Sequence, residues 1–157
     1  MPSITRSILT FAAAALLLST PAPADHIKVF LLGGQSNMVG TGANTSGLPV
    51  ALQSPQADVL FYYSSSLTTL RPGSGQNFGP EVTFGRTIAD AFPSDNFGLI
   101  KYAVSGSAIH EVWDPDPALG TVYNSFRAKV TDGLAALTSA GHTYEIVGML
   151  WTQGERD

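Results

Sequence analysis

The chain has 157 residues, with 12 acidic and 8 basic side chains, a formal net charge of −4 and no cysteine. This length fits one domain. The basic residues of the chain are few and scattered, which argues against a nucleic acid or an anionic membrane as partner. Without cysteine, the chain has no disulfide, no thiol nucleophile and no cysteine-ligated zinc.

The first 24 residues have the composition of a secretory signal peptide. Arg6 precedes an apolar stretch at 8–18, which is followed by the small residues Ala22 and Ala24. A cleavable signal peptide has this order of features, and the apolar stretch is short for a bilayer. The alternatives are a membrane anchor or a buried helix. We predict a signal peptide at 1–24, one domain at 25–157, and a secreted or periplasmic protein with no membrane contact after cleavage.

Four apolar, β-rich segments predict strands, at residues 27–32, 59–63, 97–104 and 144–151. Two segments with apolar residues at helical spacing predict helices, at residues 80–92 and 121–139. The segment 64–79 is rich in Ser, Thr and Gly, which predicts a loop. Strands that alternate with helices indicate an α/β fold, with a parallel sheet covered by helices on both faces. In such sheets, chemistry gathers at the carboxyl ends of the strands.

Three polar segments follow predicted strands and are candidates for that site. Ser36 follows the first strand, where it is either a nucleophile or the N-cap of a helix. Gly106 follows the third strand, where its N–H either stabilises an oxyanion or belongs to an ordinary turn. Gln153 follows the fourth strand, and its carboxamide is a potential oxyanion donor, although polar strand ends are common. From the pattern alone, each of these alternatives stays open.

Four runs together resemble the sialate O-acetylesterase type of carbohydrate esterase, which belongs to the SGNH hydrolase superfamily. They are GQSNM at 34–38, GPE at 79–81, YAVSGS at 102–107 and WTQGERD at 151–157. The runs occur in the family's order, and the resemblance extends over residues 27–157. It implies a flavodoxin-like three-layer α/β/α sandwich and an esterase that needs neither a metal nor another cofactor.

The resemblance also implies roles for particular residues. Ser36 would be the nucleophile, and its own N–H, the N–H of Gly106 and the side chain of Gln153 would form the oxyanion hole. Four further residues are expected to bind the substrate: Gln35, Asn37, Glu155 and Trp113. Glu155 and Asp157 lie in the same motif as Gln153 and are also expected to help order the site, with no chemical step assigned to either. Glu81 is expected to have a structural role, since a carboxylate is favourable at the start of a helix.

The catalytic base of this superfamily is a histidine in a late Asp-x-x-His motif, and the chain has no such motif. His26 and His142 are expected at the amino end of the sheet, and His110 is interpreted as a loop residue. No helix follows the last predicted strand before the chain ends at Asp157. We therefore expect an N-terminal fragment of a longer reading frame, or of a decayed gene, that is nearly inactive by itself.

These inferences lead to three functional hypotheses. The first is a serine esterase that removes acetyl groups from an acetylated carbohydrate, of the sialic acid or plant polysaccharide type, through an acetyl-Ser36 intermediate. The second is an inactive carbohydrate-binding fragment without the base, and the third is a generic lipase or thioesterase of the same superfamily. Neither the sugar nor the oligomeric state can be identified from the sequence.

Overall fold

The computed structural model describes residues 24–73, 78–116 and 118–157. The predicted signal peptide lies outside these residues, apart from Ala24. The strands are β1 (His26–Gly34), β2 (Gln56–Tyr63), β3 (Ser66–Leu70), β4 (Asn96–Ala103) and β5 (Thr143–Thr152). The helices are α1 (Ser36–Val39), α2 (Glu81–Ala91), α3 (Ile109–Val112) and α4 (Thr121–Ser139).

The strands form one sheet in the order β3-β2-β4-β1-β5. Neighbouring strands are parallel except β3, which is antiparallel to β2. The strand β1 lies between β4 and β5. In the flavodoxin fold, whose strand order is 2-1-3-4-5, the first strand likewise lies between two later strands. The hairpin of β2 and β3 extends the sheet beyond β4. The predicted α/β class with a mostly parallel sheet is therefore confirmed.

Helices cover both faces of the sheet. On one face, Leu99 of β4 belongs to a buried cluster that includes Ile88 of α2. On the other face, the next residue, Ile100, packs with Leu137 of α4. Successive side chains of a strand point to opposite faces, so β4 contributes to both layers. The two predicted helices are confirmed to within one residue.

The prediction of a loop over 64–79 is wrong for residues 66–70, which form β3. Leu70 is completely buried in the cluster beside α2, and Leu67 packs on the opposite face. These two leucines anchor β3 on the sheet while β2 supplies the backbone pairing. Strand formation depends on packing against neighbours more than on composition, so a Ser- and Thr-rich segment can still form an edge strand.

The turn between β2 and β3 holds Ser64 and Ser65 at φ values of 49° and 67°. Left-handed backbone costs a non-glycine residue about 1–2 kcal/mol. We expect Ser65→Gly to raise the free energy of unfolding by about 1 kcal/mol in urea denaturation. The control is Ser66→Gly, which should lower it by about as much because glycine weakens a strand. Effects of the same sign in both variants would contradict this interpretation.

The strand β5 forms an edge of the sheet and carries exposed apolar side chains. Ile146 is 50% exposed and Trp151 is 44% exposed, on a strand that pairs only with β1 among the described residues. An edge strand of this kind offers unpaired backbone groups as well as apolar surface. Within the described ranges, no helix has the length and apolar character needed to cross a membrane.

Candidate active site

The segment after β1 forms a single helical turn, α1, that begins with Ser36. At Gly34, a Cβ atom would lie 2.0 Å from the carbonyl oxygen of Thr152, so only glycine allows the ends of β1 and β5 to approach this closely. Gly40 ends α1 at a φ of 82°, where a Cβ atom would lie 1.9 Å from the Phe78 carbonyl oxygen. The two glycines therefore present Ser36 at the carboxyl end of β1.

Ser36 is half-buried, and its side chain has no hydrogen-bond partner among the described residues. Its N–H lies in the first turn of α1, where a helix provides no acceptor. The alternative that Ser36 is an N-cap is wrong, because Gln35 occupies that position. Both the hydroxyl and the N–H of Ser36 are therefore available to a ligand.

Gly106 lies in the turn after β4, next to the nucleophile segment. Its φ of 72° is in the left-handed region that favours glycine. The Val104 N–H donates to the Gly34 carbonyl oxygen at 3.1 Å, which ties this turn to the end of β1. The Gly106 carbonyl accepts a hydrogen bond from Arg156, whereas its N–H has no partner within the described part of the chain. The N–H is thus free to act as the predicted oxyanion donor.

Gln153 joins the end of β5 to the same turn. Its Nε2 donates to the carbonyl oxygen of Ser107 at 2.7 Å. The same nitrogen also lies 3.5 Å from Oγ of Ser107, so in this structure both of its contacts are to Ser107. The Gln35 N–H donates to the Thr152 carbonyl oxygen at 2.9 Å and brings the nucleophile segment to the end of β5. The structure thus gathers all three predicted catalytic residues at the ends of adjacent strands.

Three of the four predicted substrate-binding residues contact one another. The Glu155 carboxylate accepts hydrogen bonds from Nε2 of Gln35 and Nδ2 of Asn37. The hydrogen bond from Gln35, more than any other contact, holds the pKa of Glu155 below its usual value. Because Gln35 and Asn37 flank Ser36, this carboxylate bridges both neighbours of the candidate nucleophile.

Trp113, the fourth of these residues, is buried beneath the Gly106 turn. It is only 6% exposed, and its indole N–H donates to Oγ of Ser107 at 2.9 Å. The ring packs edge-on against Trp151, with centroids 4.7 Å apart, and also contacts Phe126. These contacts support the turn and leave little of the ring exposed, so a role in substrate binding stays a prediction.

None of the three histidines contacts Ser36 within the described ranges. His26 begins β1 and contacts Thr143, so it lies at the amino end of the sheet, as expected. His110 was expected in a loop but lies in the short helix α3, with Nδ1 3.2 Å from Oδ1 of Asp157. The same carboxylate oxygen accepts the Ile109 N–H at 2.8 Å. Asp157 therefore holds the start of α3. No group of three or more potential metal ligands occurs in the described ranges.

Lys101 is a buried charge in the middle of β4 that was not among the residues predicted for the site. Its Nζ lies 2.7 Å from Oε2 of Glu81, and both side chains are at most 4% exposed. Nζ also donates to the Val39 carbonyl oxygen at the end of α1, at 3.3 Å. Burial lowers the pKa of Lys101, an effect that the Glu81 carboxylate opposes. A lysine inside the apolar run 97–104 is the sequence signal that could have revealed this pair.

Two solved structures have a similar fold. A protein from Arabidopsis thaliana of known structure is similar over 86% of the chain, with 22% identity and a TM-score of 0.63. NanS is similar over 84%, with 14% identity and a TM-score of 0.60. The chain spans 59% and 55% of these two structures, and at these identities the likeness concerns the fold.

No curated protein sequence matches the chain. The family model described as carbohydrate esterase, sialic acid-specific acetylesterase, matches residues 26–157. This match includes every described strand and helix, together with Ser36, Gly106 and Gln153. The chain therefore belongs to the sialic acid-specific acetylesterase family of carbohydrate esterases.

Proposed function

We propose that the protein hydrolyses acetyl esters of a carbohydrate, with Ser36 as nucleophile. The observation that carries this proposal is the unpartnered hydroxyl of Ser36 at the carboxyl end of β1, at the same edge of the sheet as the free N–H of Gly106. Membership of a carbohydrate acetylesterase family supports an ester as substrate. A neutral sugar also suits an acidic chain better than a polyanion does.

In the proposed reaction, Oγ of Ser36 attacks the carbonyl carbon of the acetyl group. The charge that develops on the carbonyl oxygen is stabilised by the N–H groups of Ser36 and Gly106 and by the carboxamide of Gln153. The intermediate collapses to acetyl-Ser36 and releases the sugar alcohol, which takes up the proton lost by Ser36. Water then attacks acetyl-Ser36, and acetate and the free serine are formed.

A base must accept the proton of Ser36 during this attack. None of the described histidines has a hydrogen bond to Ser36, and His110 contacts Asp157. The prediction that the base belongs to an Asp-x-x-His motif beyond Asp157 stays a prediction. We propose that the whole protein supplies this histidine and that it is exported by way of the signal peptide at 1–24.

The experiment that tests this function measures acetate release from acetylated sugars by the protein expressed from its complete reading frame. We expect acetyl esters to be preferred over long-chain acyl esters, since a generic lipase or thioesterase would show the opposite order. Mass spectrometry after rapid acid quenching should find an acetyl group on the peptide that contains Ser36. Sugar binding without acetate release would favour the inactive carbohydrate-binding alternative.

A further inference from the structure

Glu155 is the one acidic side chain that contacts both neighbours of Ser36 in the described structure. Its Oε2 accepts the side-chain amide of Gln35, and its Oε1 accepts that of Asn37. Gln35 is only 3% exposed, so its amide has little access to water as an alternative partner. Each carboxylate oxygen therefore accepts a hydrogen bond from one amide, and the two amides belong to the residues directly before and after Ser36.

The backbone explains how Glu155 reaches the nucleophile segment. Gly154 has a φ of 113°, a conformation that side chains rarely adopt, and it turns the chain directly after Gln153. On one side of this turn, Gln153 holds the carbonyl of Ser107. On the other side, Glu155 holds the residues next to Ser36. One tight turn thus connects the nucleophile to the side-chain donor of the oxyanion hole.

We propose that Glu155 is a positioning residue, whose carboxylate holds Gln35 and Asn37 and so fixes Ser36 relative to Gln153. This inference rests on the proposed function, because it concerns the geometry of the same reaction. It replaces the expectation that Gln35, Asn37 and Glu155 bind the substrate directly. An error of about 1 Å in the position of a reacting group can lower a rate about 100-fold, so such a contact affects catalysis without touching the substrate.

The hydrogen bonds of Glu155 argue against a chemical role for this residue. Both carboxylate oxygens already accept amide N–H groups, and no hydrogen bond joins Glu155 to Ser36 in the described structure. The bonds from Gln35 and Asn37 favour the ionised carboxylate, whereas the nearby Asp157 opposes it. A carboxylate held in its ionised form by fixed donors suits positioning better than proton transfer.

The test compares Glu155→Ala with Glu155→Gln in the protein expressed from its complete reading frame, with an acetylated sugar as substrate. We expect Glu155→Ala to lower kcat about 10-fold to 100-fold and to change KM little. Glutamine can still accept from Gln35, and it can donate to Asn37 after a flip of the asparagine amide. Glu155→Gln should therefore stay within a few-fold of wild type.

Each alternative role predicts a different result. If Glu155 transferred a proton, Glu155→Gln would lose as much activity as Glu155→Ala. If it bound the sugar directly, KM would rise while kcat stayed unchanged. Wild-type kcat in Glu155→Ala would also overturn the proposal. The control is Glu145→Ala, which removes an exposed carboxylate at the opposite end of β5 and should leave kcat and KM unchanged.

A second measurement tests the inference even if the protein does not release acetate. Amide hydrogen exchange of residues 35–40 should be faster in Glu155→Ala than in wild type, and nearly normal in Glu155→Gln. Unchanged exchange in Glu155→Ala would overturn the positioning role whatever the substrate is. Absence of acetate release by wild type, with faster exchange in Glu155→Ala, would instead contradict the proposed function alone.

Discussion

Replacing Ser36 by alanine is expected to lower kcat for acetate release on the order of a million-fold, the loss seen when the nucleophile of a serine triad is removed. The structure supports this size because, among the described residues, only Ser36 has an unpartnered hydroxyl at the first position of a helix that directly follows a parallel strand. The oxyanion donors remain in the variant, so slow residual hydrolysis is expected. The measurement is initial rates with an acetylated sugar, using the protein expressed from its complete reading frame.

Two further results make this prediction specific. Ser36→Ala should keep its affinity for the acetylated sugar, because the removed oxygen contributes to the reaction more than to binding. The control is Ser125→Ala on α4, whose hydroxyl donates to the Thr121 carbonyl within the helix and should not affect kcat. Equal rates for Ser36→Ala and wild type would refute the assignment of the nucleophile.

Replacing Lys101 by methionine is expected to lower the free energy of unfolding by about 3–5 kcal/mol, because the buried carboxylate of Glu81 then has no counter-charge. Lys101 is 2% exposed and joins β4 to the start of α2 through Glu81 and to the end of α1 through Val39. Glu81→Gln should be destabilising for the converse reason. Urea denaturation, followed by tryptophan fluorescence, measures both variants.

The double variant separates the cost of an unpaired charge from a general loss of packing. In Lys101→Met/Glu81→Leu no buried charge remains, and replacing a buried ion pair by apolar residues is often neutral or stabilising. We therefore expect the double variant to be more stable than Lys101→Met alone, although the Gly79 N–H loses its acceptor. Additive losses would show that the ion pair itself contributes little.

The pH dependence of stability provides an independent check on Lys101. Its pKa in the folded protein is lower than 10.5, so below that pH the unfolded chain binds more protons than the folded protein. The free energy of unfolding should therefore rise with pH in this interval in wild type, but less in Lys101→Met. Tyr63, whose pKa is raised above 10.0 by burial, has the opposite effect at still higher pH. The comparison is best made below pH 10.

The sequence alone was sufficient to predict the α/β class, the two long helices and the four parallel strands. Their apolar residues follow helical or strand spacing over enough positions to exclude the other structure. It also located Ser36, Gly106 and Gln153 at the carboxyl ends of parallel strands, which meet at one edge of the sheet, whereas their joint role in one site came from the resemblance to a family. Local sequence patterns are sufficient to locate a residue when its position at the end of a strand already determines which edge of the sheet it occupies.

Only the tertiary structure showed β3, the burial of Trp113, the Lys101–Glu81 ion pair and the contacts of Glu155. Each depends on residues that are far apart in the chain: Glu155 follows its partner Gln35 by 120 positions. Spacing along the chain determines which face of a strand or helix a side chain occupies. The partner across that face is determined by how the elements pack, and this decides whether a polar residue binds a substrate or holds the nucleophile in place.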